Sequence, residues 1–270
     1  MSNENCPSFD NPPVIETALS IQFDELSNFK TTHFGMFYET VKDRFPIVVD
    51  KSRLAPVKEY FPRIPQMQGI RFRSNEGGPE RVWYKEPDNG SKMLQLQPDR
   101  YVFNWCRKDL EEYPRYETYL PVCLEEFKSF SDWAVKNDLG EIKPNLCEVT
   151  YINRLYTKEG ENLSDFFGTV FTGLEWKTSD GWLRQPPENA SFNRVFVIGN
   201  MQGRLFVEAG FAVDSDGQDF ILLKITARVN INQTDELKES MDLAHLWVVK
   251  GFASLTSEHV QKERWKRSEP

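Results

Sequence analysis

Histidine is scarce in this 270-residue chain, and the familiar catalytic signatures are missing. The three histidines, His33, His245 and His259, stand far apart, and no H-E-x-x-H, G-x-S-x-G, Walker A or G-x-G-x-x-G pattern occurs. Known zinc-peptidase, hydrolase and nucleotide-phosphate templates are therefore not indicated. For His245 a hydrogen-bonded, half-buried histidine is favoured over a catalytic one. We predict no catalytic residues, no metal site and no cofactor, and we favour a protein that is not an enzyme.

Cysteine and long apolar runs are also rare. Cys6, Cys106, Cys123 and Cys147 form no C-x-x-C pair, and no histidine stands at zinc-finger spacing from them. No signal peptide opens the chain, and no apolar run approaches the roughly 18 residues of a membrane span. This pattern predicts four reduced thiols in a cytoplasmic protein.

Positive charge is in the minority. The chain has 33 Lys and Arg against 41 Asp and Glu, which gives a formal net charge of −8. Proteins that bind phosphate backbones normally carry a basic patch or stripe, whereas the basic residues here are scattered among more numerous acids. Non-specific nucleic-acid binding is therefore disfavoured, and no feature indicates a membrane.

Aromatic residues, by contrast, are plentiful. The chain has 20 Phe, 9 Tyr and 7 Trp, and each buried ring removes roughly 150–250 Å² from water, so a sizeable core is expected. We predict a flexible N-terminus over 1–13, a first α+β repeat over 14–140, a second over 141–258 and a charged C-terminal tail over 259–270. One shared domain is favoured, and two independent domains are the alternative.

The first repeat opens on the alternating stretch VIETALSIQF (14–23), which predicts a strand. HFGMFYETVKDRFP then predicts a helix, and a Pro-rich link runs over 51–68. Four short strand candidates follow, separated by turn-forming residues: IRFRS, RVWYKE, KMLQLQ and RYVFNWC. A long helix is predicted over 115–139.

The second repeat has the same order of elements. NLCEVTYINRLY (145–156) predicts a strand and NLSDFFGTVF a short helix, and a loop rich in Trp, Gly and Pro covers 172–189. Three strands follow, SFNRVFVIG, RLFVEAGFAV and DFILLKITARVNI, and a final helix is predicted over 235–256.

This self-similarity predicts two copies of one supersecondary unit. The expected fold is an internally duplicated α+β strand-helix-meander-helix unit, with one large twisted antiparallel sheet and both long helices on one face. TATA-box-binding-protein-like and helix-grip folds have this arrangement, and the likeness is topological and carries no function.

Polar residues alternate with apolar ones along the predicted strands. The positions expected to face the helices are Leu19, Ile21, Leu94 and Leu96. The other face then carries Glu16, Ser20, Gln22, Gln95, Gln97, Glu148 and Arg154. Either this face meets water, as one face of an antiparallel sheet often does, or it is a concave surface that holds a ligand or a partner chain.

Glu148 is the clearest test of these alternatives, because it is a charged residue in an otherwise mainly apolar strand. It is either solvated, or paired with an arginine on a neighbouring strand such as Arg228, or part of a binding site. A bridge to Arg154 on the same strand is not expected, because residues six apart lie roughly 20 Å apart along it.

A second cluster lies where a strand ends and the long helix begins. Asn104 and Trp105 end the strand, and YPRY (113–116) opens the helix. Arg115 is placed to stack between tyrosines or to bind an anion. The alternative is a helix-entry motif that packs on the sheet edge.

Four blocks of the sequence resemble a known group of proteins. They are FDNPPVIETALSIQF, LQLQPDRYVFNWCR…YPRYETYLPVCLEEF, CEVTYINRLY and MDLAHLWVVKGFASLTS…W, and together they span nearly the whole chain. The chain resembles a sporadically distributed prokaryotic family of hypothetical proteins of about this length. The resemblance implies no catalytic residues; the patchy distribution suggests mobile defence or toxin–antitoxin operons. One departure is Leu246, where an acidic residue is expected after the helix histidine.

Two functions fit these features. The first is a non-enzymatic interaction module that acts through a protein partner, with Trp176 and Trp182 of the 172–189 loop as contact residues. The second is a small-molecule or nucleotide-binding protein, or a weak enzyme, that uses the concave sheet face or the space between sheet and helices. The candidate binding residues are Glu16, Gln95, Gln97, Asn104, Trp105, Arg115, Glu148, Tyr151, Asn153, Arg154, Trp176 and Trp182.

Overall fold

The computed structural model describes residues 6–62, 80–87, 90–108, 113–174, 182–233 and 236–268. The strands in these ranges are β1 (Ser8–Phe9), β2 (Val14–Phe23), β3 (Ile47–Lys51), β4 (Arg81–Lys85), β5 (Lys92–Gln97), β6 (Arg100–Cys106), β7 (Pro144–Tyr156), β8 (Ser191–Ile198), β9 (Gly203–Val213), β10 (Asp219–Asn230) and β11 (Arg267–Ser268). The helices are α1 (Thr31–Val41), α2 (Tyr116–Lys136), α3 (Leu163–Val170), α4 (Leu237–Leu255) and α5 (Glu258–Trp265).

Nine of the strands form one antiparallel sheet in the order β3-β4-β5-β6-β2-β7-β10-β9-β8. The first strand of each half, β2 or β7, lies at the centre, and the two pair with each other. The last strand of each meander lies beside it, β6 next to β2 and β10 next to β7. The expectation of an α+β chain with a large antiparallel sheet is confirmed.

The helices α2 and α4 pack on the same face of this sheet. The Phe23 ring of β2 meets Phe130 of α2 with ring centroids 6.0 Å apart. The α4 side chain of His245 stacks on Tyr116 at the start of α2, and its ring lies 6.0 Å from that of Tyr151 on β7. The predicted helix-facing residues are buried beneath this layer: Leu19, Ile21, Leu94 and Leu96.

The opposite face of the sheet is covered by the chain that follows β3. Residues 52–62 cross it in extended form, and two glutamines of the sheet bind their backbone. Gln22 accepts from Val57 N–H at 2.7 Å and donates to the Val57 carbonyl at 2.9 Å, and Gln97 makes the same reciprocal pair with Leu54. We call residues 52–62 the strap. Of the two alternatives for this face, a solvated surface is wrong where the strap lies.

Two further findings differ from the expectations. The predicted link over 51–68 begins inside a strand that the sequence analysis missed, β3. The charged tail instead contains α5, whose Trp265 is buried, and β11, which pairs with β1. The expected strand IRFRS lies outside the described residues.

The turn between β9 and β10 is stabilised by hydrogen bonds to an aspartate and by a glycine with positive φ. Asp214 Oδ1 accepts hydrogen bonds from the backbone N–H groups of Asp216 and Gln218. Gly217 has φ of +81°, a conformation that glycine adopts without steric cost. These contacts form the tight turn that joins the two strands. In the described part of the chain, no helix combines the length and the apolar character that crossing a membrane requires.

Candidate functional site

A cavity of about 460 Å³ lies on the helix side of the sheet. Strands β7 and β10 form its floor. Helix α4 and the start of α2 form two of its walls, and the chain that precedes β2 forms the outer wall. The lining residues are Cys6, Pro7, Ser8, Phe9, Pro12, Pro13, Val14, Tyr113, Arg115, Tyr116, Glu117, Tyr151, Asn153, Ile225, His245, Val248, Val249 and Phe252. This size falls in the range of roughly 300–1,000 Å³ that small-molecule sites occupy.

Strand alternation and helix periodicity place these side chains. Tyr151 and Asn153 are two residues apart on β7, so both point to the helix side. His245, Val248 and Phe252 follow one another at spacings of three and four residues on α4, which is one face of a helix. The site is thus built on regular elements of the fold.

The N-terminal segment closes the cavity and is held by the C-terminal end of the chain. Phe9 is buried and packs edge-on against Phe252 with ring centroids 5.3 Å apart. The backbone N–H groups of Asp10 and Asn11 donate to the carbonyls of Lys266 and Trp265. The α5–β11 segment therefore fixes the outer wall of the cavity.

His245 is the most unusual group in the cavity. Its side chain is only 6% exposed, and its ring stacks on Tyr116 at 3.7 Å with an interplanar angle of 5°. Nδ1 has no hydrogen-bond partner among the described residues. Burial lowers the pKa of His245 to about 4, against the opposing influence of Asp242, so the imidazole is neutral at pH 7. The expected hydrogen-bonded histidine is thus corrected, because Nδ1 is left unpartnered.

Tyr116 and Tyr151 face this imidazole, and Tyr113 packs against Tyr151. Tyr113 and Tyr151 share a hydrogen bond of 2.7 Å between their hydroxyls, and Tyr116 donates to Asp242 Oδ1 at 3.0 Å. Burial raises the pKa of Tyr113 to about 12 and raises the pKa values of Tyr151 and Tyr116 as well. All three phenols are therefore neutral and able to donate hydrogen bonds.

The charged groups of the cavity stand at its mouth, at the start of α2. Arg115 precedes the helix and makes no side-chain hydrogen bond that caps it. Its guanidinium has one long contact, 3.4 Å from Nη1 to Ser8 Oγ. Glu117 lies in the first turn and has a partner of its own. Cys6 lines the same cavity as a thiol, because burial raises its pKa.

The structure divides the predicted site residues into separate groups. Arg115, Tyr151 and Asn153 line the cavity, and buried Trp105 packs against Tyr113 with ring centroids 5.6 Å apart. Arg154 is exposed and lies over the ring of Phe220. Trp182 is fully exposed, and Trp176 lies outside the described residues. The remaining residues lie on the strap side of the sheet: Glu16, Gln95, Gln97, Asn104 and Glu148.

On the strap side these residues form hydrogen-bonded chains. Asn104 donates to Glu16 at 2.8 Å and accepts from Gln95 at 2.7 Å, and Gln95 in turn accepts from Arg81. Burial raises the pKa of Glu16, and its hydrogen bond from Asn104 opposes that shift. Buried polar groups normally need such partners, so these residues stabilise the sheet and its covering segment.

Glu148 belongs to a second network on this side. Arg228 Nε donates to Glu148 Oε2 at 2.6 Å, and Arg228 Nη1 lies 3.7 Å from Glu59 of the strap. Glu59 also pairs with Arg204, which lies over the ring of Phe61. The cross-strand partner named from the sequence, Arg228, is thus the one found, and Glu148 has a structural partner.

Several cavity residues escaped the sequence analysis. Phe9 and Phe252 are ordinary apolar residues with no local signal, and Pro12-Pro13 indicates only a break in the chain. Two stretches of sequence gave a signal: YPRY indicated Arg115, and NLCEVTYINRLY indicated Tyr151 and Asn153. Among the described residues, no group of three or more His, Cys, Asp and Glu side chains is arranged to hold a metal ion.

No protein-family model, curated protein or solved structure matches this chain. The geometry of the cavity and the chemistry of its walls are therefore the basis for assigning a function.

Proposed function

We propose that this protein binds a small molecule in the cavity between the sheet, α2 and α4. The observation that carries the proposal is the unpartnered Nδ1 of buried His245 in the lining of this cavity. A buried polar group without a partner costs about 1–3 kcal/mol. A bound molecule with a hydrogen-bonding group would remove that cost.

The composition of the walls supports the same function. Most of the lining is apolar or aromatic, and a few polar groups converge on it, Arg115, Asn153 and His245 among them. This is the usual composition of a ligand site, in which apolar walls give affinity and placed polar groups fix orientation. Asn153 donates its Nδ2 to the Leu223 carbonyl at 3.1 Å, which orients its Oδ1 as an acceptor.

Binding without turnover is the form of the proposal. A cysteine nucleophile reacts as the thiolate, and the pKa of Cys6 is raised, not lowered. The phenols of Tyr113 and Tyr151 are held in their neutral forms in the same way. These groups are suited to hydrogen bonding with a ligand and not to attack on one.

A cavity-filling substitution tests this function. A ligand found by a thermal-shift screen and added at 100 times its Kd should stabilise the fold by about 2.7 kcal/mol. Val249→Phe places a ring in the cavity and should abolish this shift. Val135→Phe is the matched control, because Val135 is 53% exposed on α2 and does not line the cavity. Hits that bind Val249→Phe as well as wild type would exclude the cavity as their site.

Contact with a protein partner is a second proposal, favoured by an exposed apolar pair. Trp182 is 101% exposed and Leu183 71% exposed, and tryptophan is a preferred anchor of interfaces. Trp182→Ser should lower recovery of a stoichiometric partner in pull-downs from the native host, while Met36→Ser, at an exposed apolar position on α1, should not. Equal recovery with wild type and Trp182→Ser would remove this loop from the interface.

We also infer an internal duplication, with the topology of TATA-box-binding-protein-like or helix-grip folds. Its support is the strand order, in which β6-β2 and β7-β10 stand on either side of the centre. The resemblance to a prokaryotic family of hypothetical proteins, with its suggestion of mobile defence or toxin–antitoxin operons, stays a proposal of the same kind. A cytoplasmic location is likewise a proposal.

A further inference from the structure

The charged side chains that line the proposed binding cavity lie at its mouth, and this restricts the class of ligand that the cavity can bind. Two charged side chains line it, Arg115 and Glu117, and both are exposed at its mouth. Glu117 already has a partner. Among the described residues, the guanidinium of Arg115 has one hydrogen bond, the 3.4 Å contact to the neutral Ser8 hydroxyl. The guanidinium is therefore the charged group that remains available to a ligand.

The start of α2 adds to the positive potential at this point. The first N–H groups of a helix have no partner within it and carry the positive end of the helix dipole. Arg115 supplies no side-chain cap to them. A ligand oxyanion placed here would meet the guanidinium and the helix N-terminus together, an arrangement that favours carboxylates and phosphates.

The interior of the cavity is unsuited to a second charge. Beyond the mouth the cavity is lined by uncharged side chains. Phe9, Val248 and Phe252 are apolar, and Asn153 and the ring of His245 are polar but neutral. A charged group placed against such walls would lose its hydration without a counter-ion. Flat aromatic surfaces, by contrast, pack favourably against an aromatic ring of the ligand.

The buried imidazole of His245 sets a second, independent requirement: the ligand must form a hydrogen bond with it. His245 is 6% exposed, and its Nδ1 has no partner within the described chain. A neutral imidazole offers one donor and one acceptor, so it is satisfied by an uncharged polar atom or by an oxygen of a carboxylate. A purely hydrocarbon ligand would leave it unsatisfied.

We propose that the ligand is an aromatic monocarboxylate. One carboxylate oxygen meets Arg115 at the mouth, the other bonds to Nδ1 of His245, and the ring packs among Phe9, Tyr116 and Phe252. This inference rests on the proposed function and adds the chemical class of its ligand. It predicts that binding depends on one negative charge and on an apolar ring.

Three probes that differ only in charge test the class: 3-phenylpropanoate, 3-phenylpropanamide and 3-phenylpropylamine. Isothermal titration calorimetry on the whole chain should show that the carboxylate binds about tenfold tighter than the amide, the effect of one charge-assisted hydrogen bond. The amine should bind more weakly than the amide.

Substitutions at two neighbouring positions should change the affinity for the carboxylate in opposite directions. Arg115→Met should reduce the affinity for the carboxylate about tenfold and leave that for the amide unchanged, which abolishes the preference. Glu117→Gln removes the nearby negative charge and should increase the affinity for the carboxylate. Both positions are exposed, so neither substitution should unfold the protein, and circular dichroism melts serve as the check.

The outcomes separate the ligand class from the function itself. Equal binding of carboxylate and amide, or a carboxylate preference that survives Arg115→Met, overturns the monocarboxylate. Absence of binding by all three probes, while other hits bind and are lost in Val249→Phe, also overturns the class but leaves the cavity as a binding site. A screen with no hit that is sensitive to Val249→Phe would overturn both.

Discussion

Glu59→Gln should lower the free energy of unfolding by about 3–5 kcal/mol, the usual cost of removing one partner from a buried ion pair. The Glu59 side chain is 6% exposed and pairs with Arg204, which is 8% exposed. Arg228 lies on the other side of the same carboxylate at 3.7 Å. Neutralising Glu59 leaves two guanidinium groups without their shared counter-ion under the strap.

Two other glutamates provide a graded comparison. Glu148→Gln should cost about 1–2 kcal/mol, because Glu148 is 18% exposed and its partner Arg228 keeps its contact with Glu59. Glu208→Gln should change stability by less than about 0.5 kcal/mol. Its pair with Lys224 is 3.7 Å long, and both side chains are about half exposed. Urea melts of the three variants should therefore give three distinct midpoints.

A double-mutant cycle identifies the origin of the largest effect. Arg204→Met alone leaves Glu59 with only the longer contact to Arg228, so it too should be costly. The double substitution Glu59→Gln with Arg204→Met should cost less than the sum of the single ones, because the interaction has already been lost. Additive costs would show that the interaction between Glu59 and Arg204 contributes nothing to stability.

Strand alternation made the sheet predictable. In β2 the apolar residues Leu19 and Ile21 and the polar residues Ser20 and Gln22 occupy opposite faces, as the period of two requires. The pairing of β2 with β7 follows from the same alternation, since Leu19 opposes Val149 and Ile21 opposes Cys147. Local pattern and tertiary packing agree in these strands, and so the sequence-based expectation is confirmed there.

The strap was not predictable in this way, because its structure depends on distant side chains. Its extended backbone has no ladder of its own and is bound by Gln22 and Gln97 from β2 and β5. From the sequence alone, these glutamines are indistinguishable from the solvated face of an ordinary sheet. The same reason explains α5, whose charged sequence hides one large buried side chain, Trp265.

The candidate site was predictable only in part. Arg115 of the YPRY motif and Tyr151 and Asn153 of β7 were candidate binding residues, and all three line the cavity. The position of His245 opposite Tyr116 depends on how α4 packs against α2, which is a property of the tertiary fold. Periodicity placed His245 beside an apolar stripe and could not reveal whether its nitrogens have partners.

Acidification should destabilise this protein through His245, by up to about 3 kcal/mol. Burial gives His245 a pKa of about 4 in the folded protein, while the ordinary value is 6.5. The unfolded chain therefore binds more protons than the folded one between these two values. Each pKa unit corresponds to about 1.4 kcal/mol, so stability is fully present above pH 6.5 and is lost as the pH falls towards 4.

The groups around the imidazole decide the size of this effect. Asp242, on its own helix, favours the charged form of His245 and so limits the loss. Tyr116 from α2 and Tyr151 from β7 face the same ring with raised pKa values, so they stay neutral throughout the acidic range. No described residue partners Nδ1.

His245→Gln isolates the contribution of this histidine, because the variant cannot gain the proton. At pH 7 the variant should be less stable by about 1 kcal/mol, since the stacked contact with Tyr116 is lost. Near pH 4 it should be more stable than wild type, so the two curves of unfolding free energy against pH should cross. His259→Gln, at an exposed position on α5, is the matched control and should follow wild type. Urea melts between pH 4 and pH 8 measure all three curves, and parallel curves for wild type and His245→Gln would show that His245 is not buried as a neutral ring.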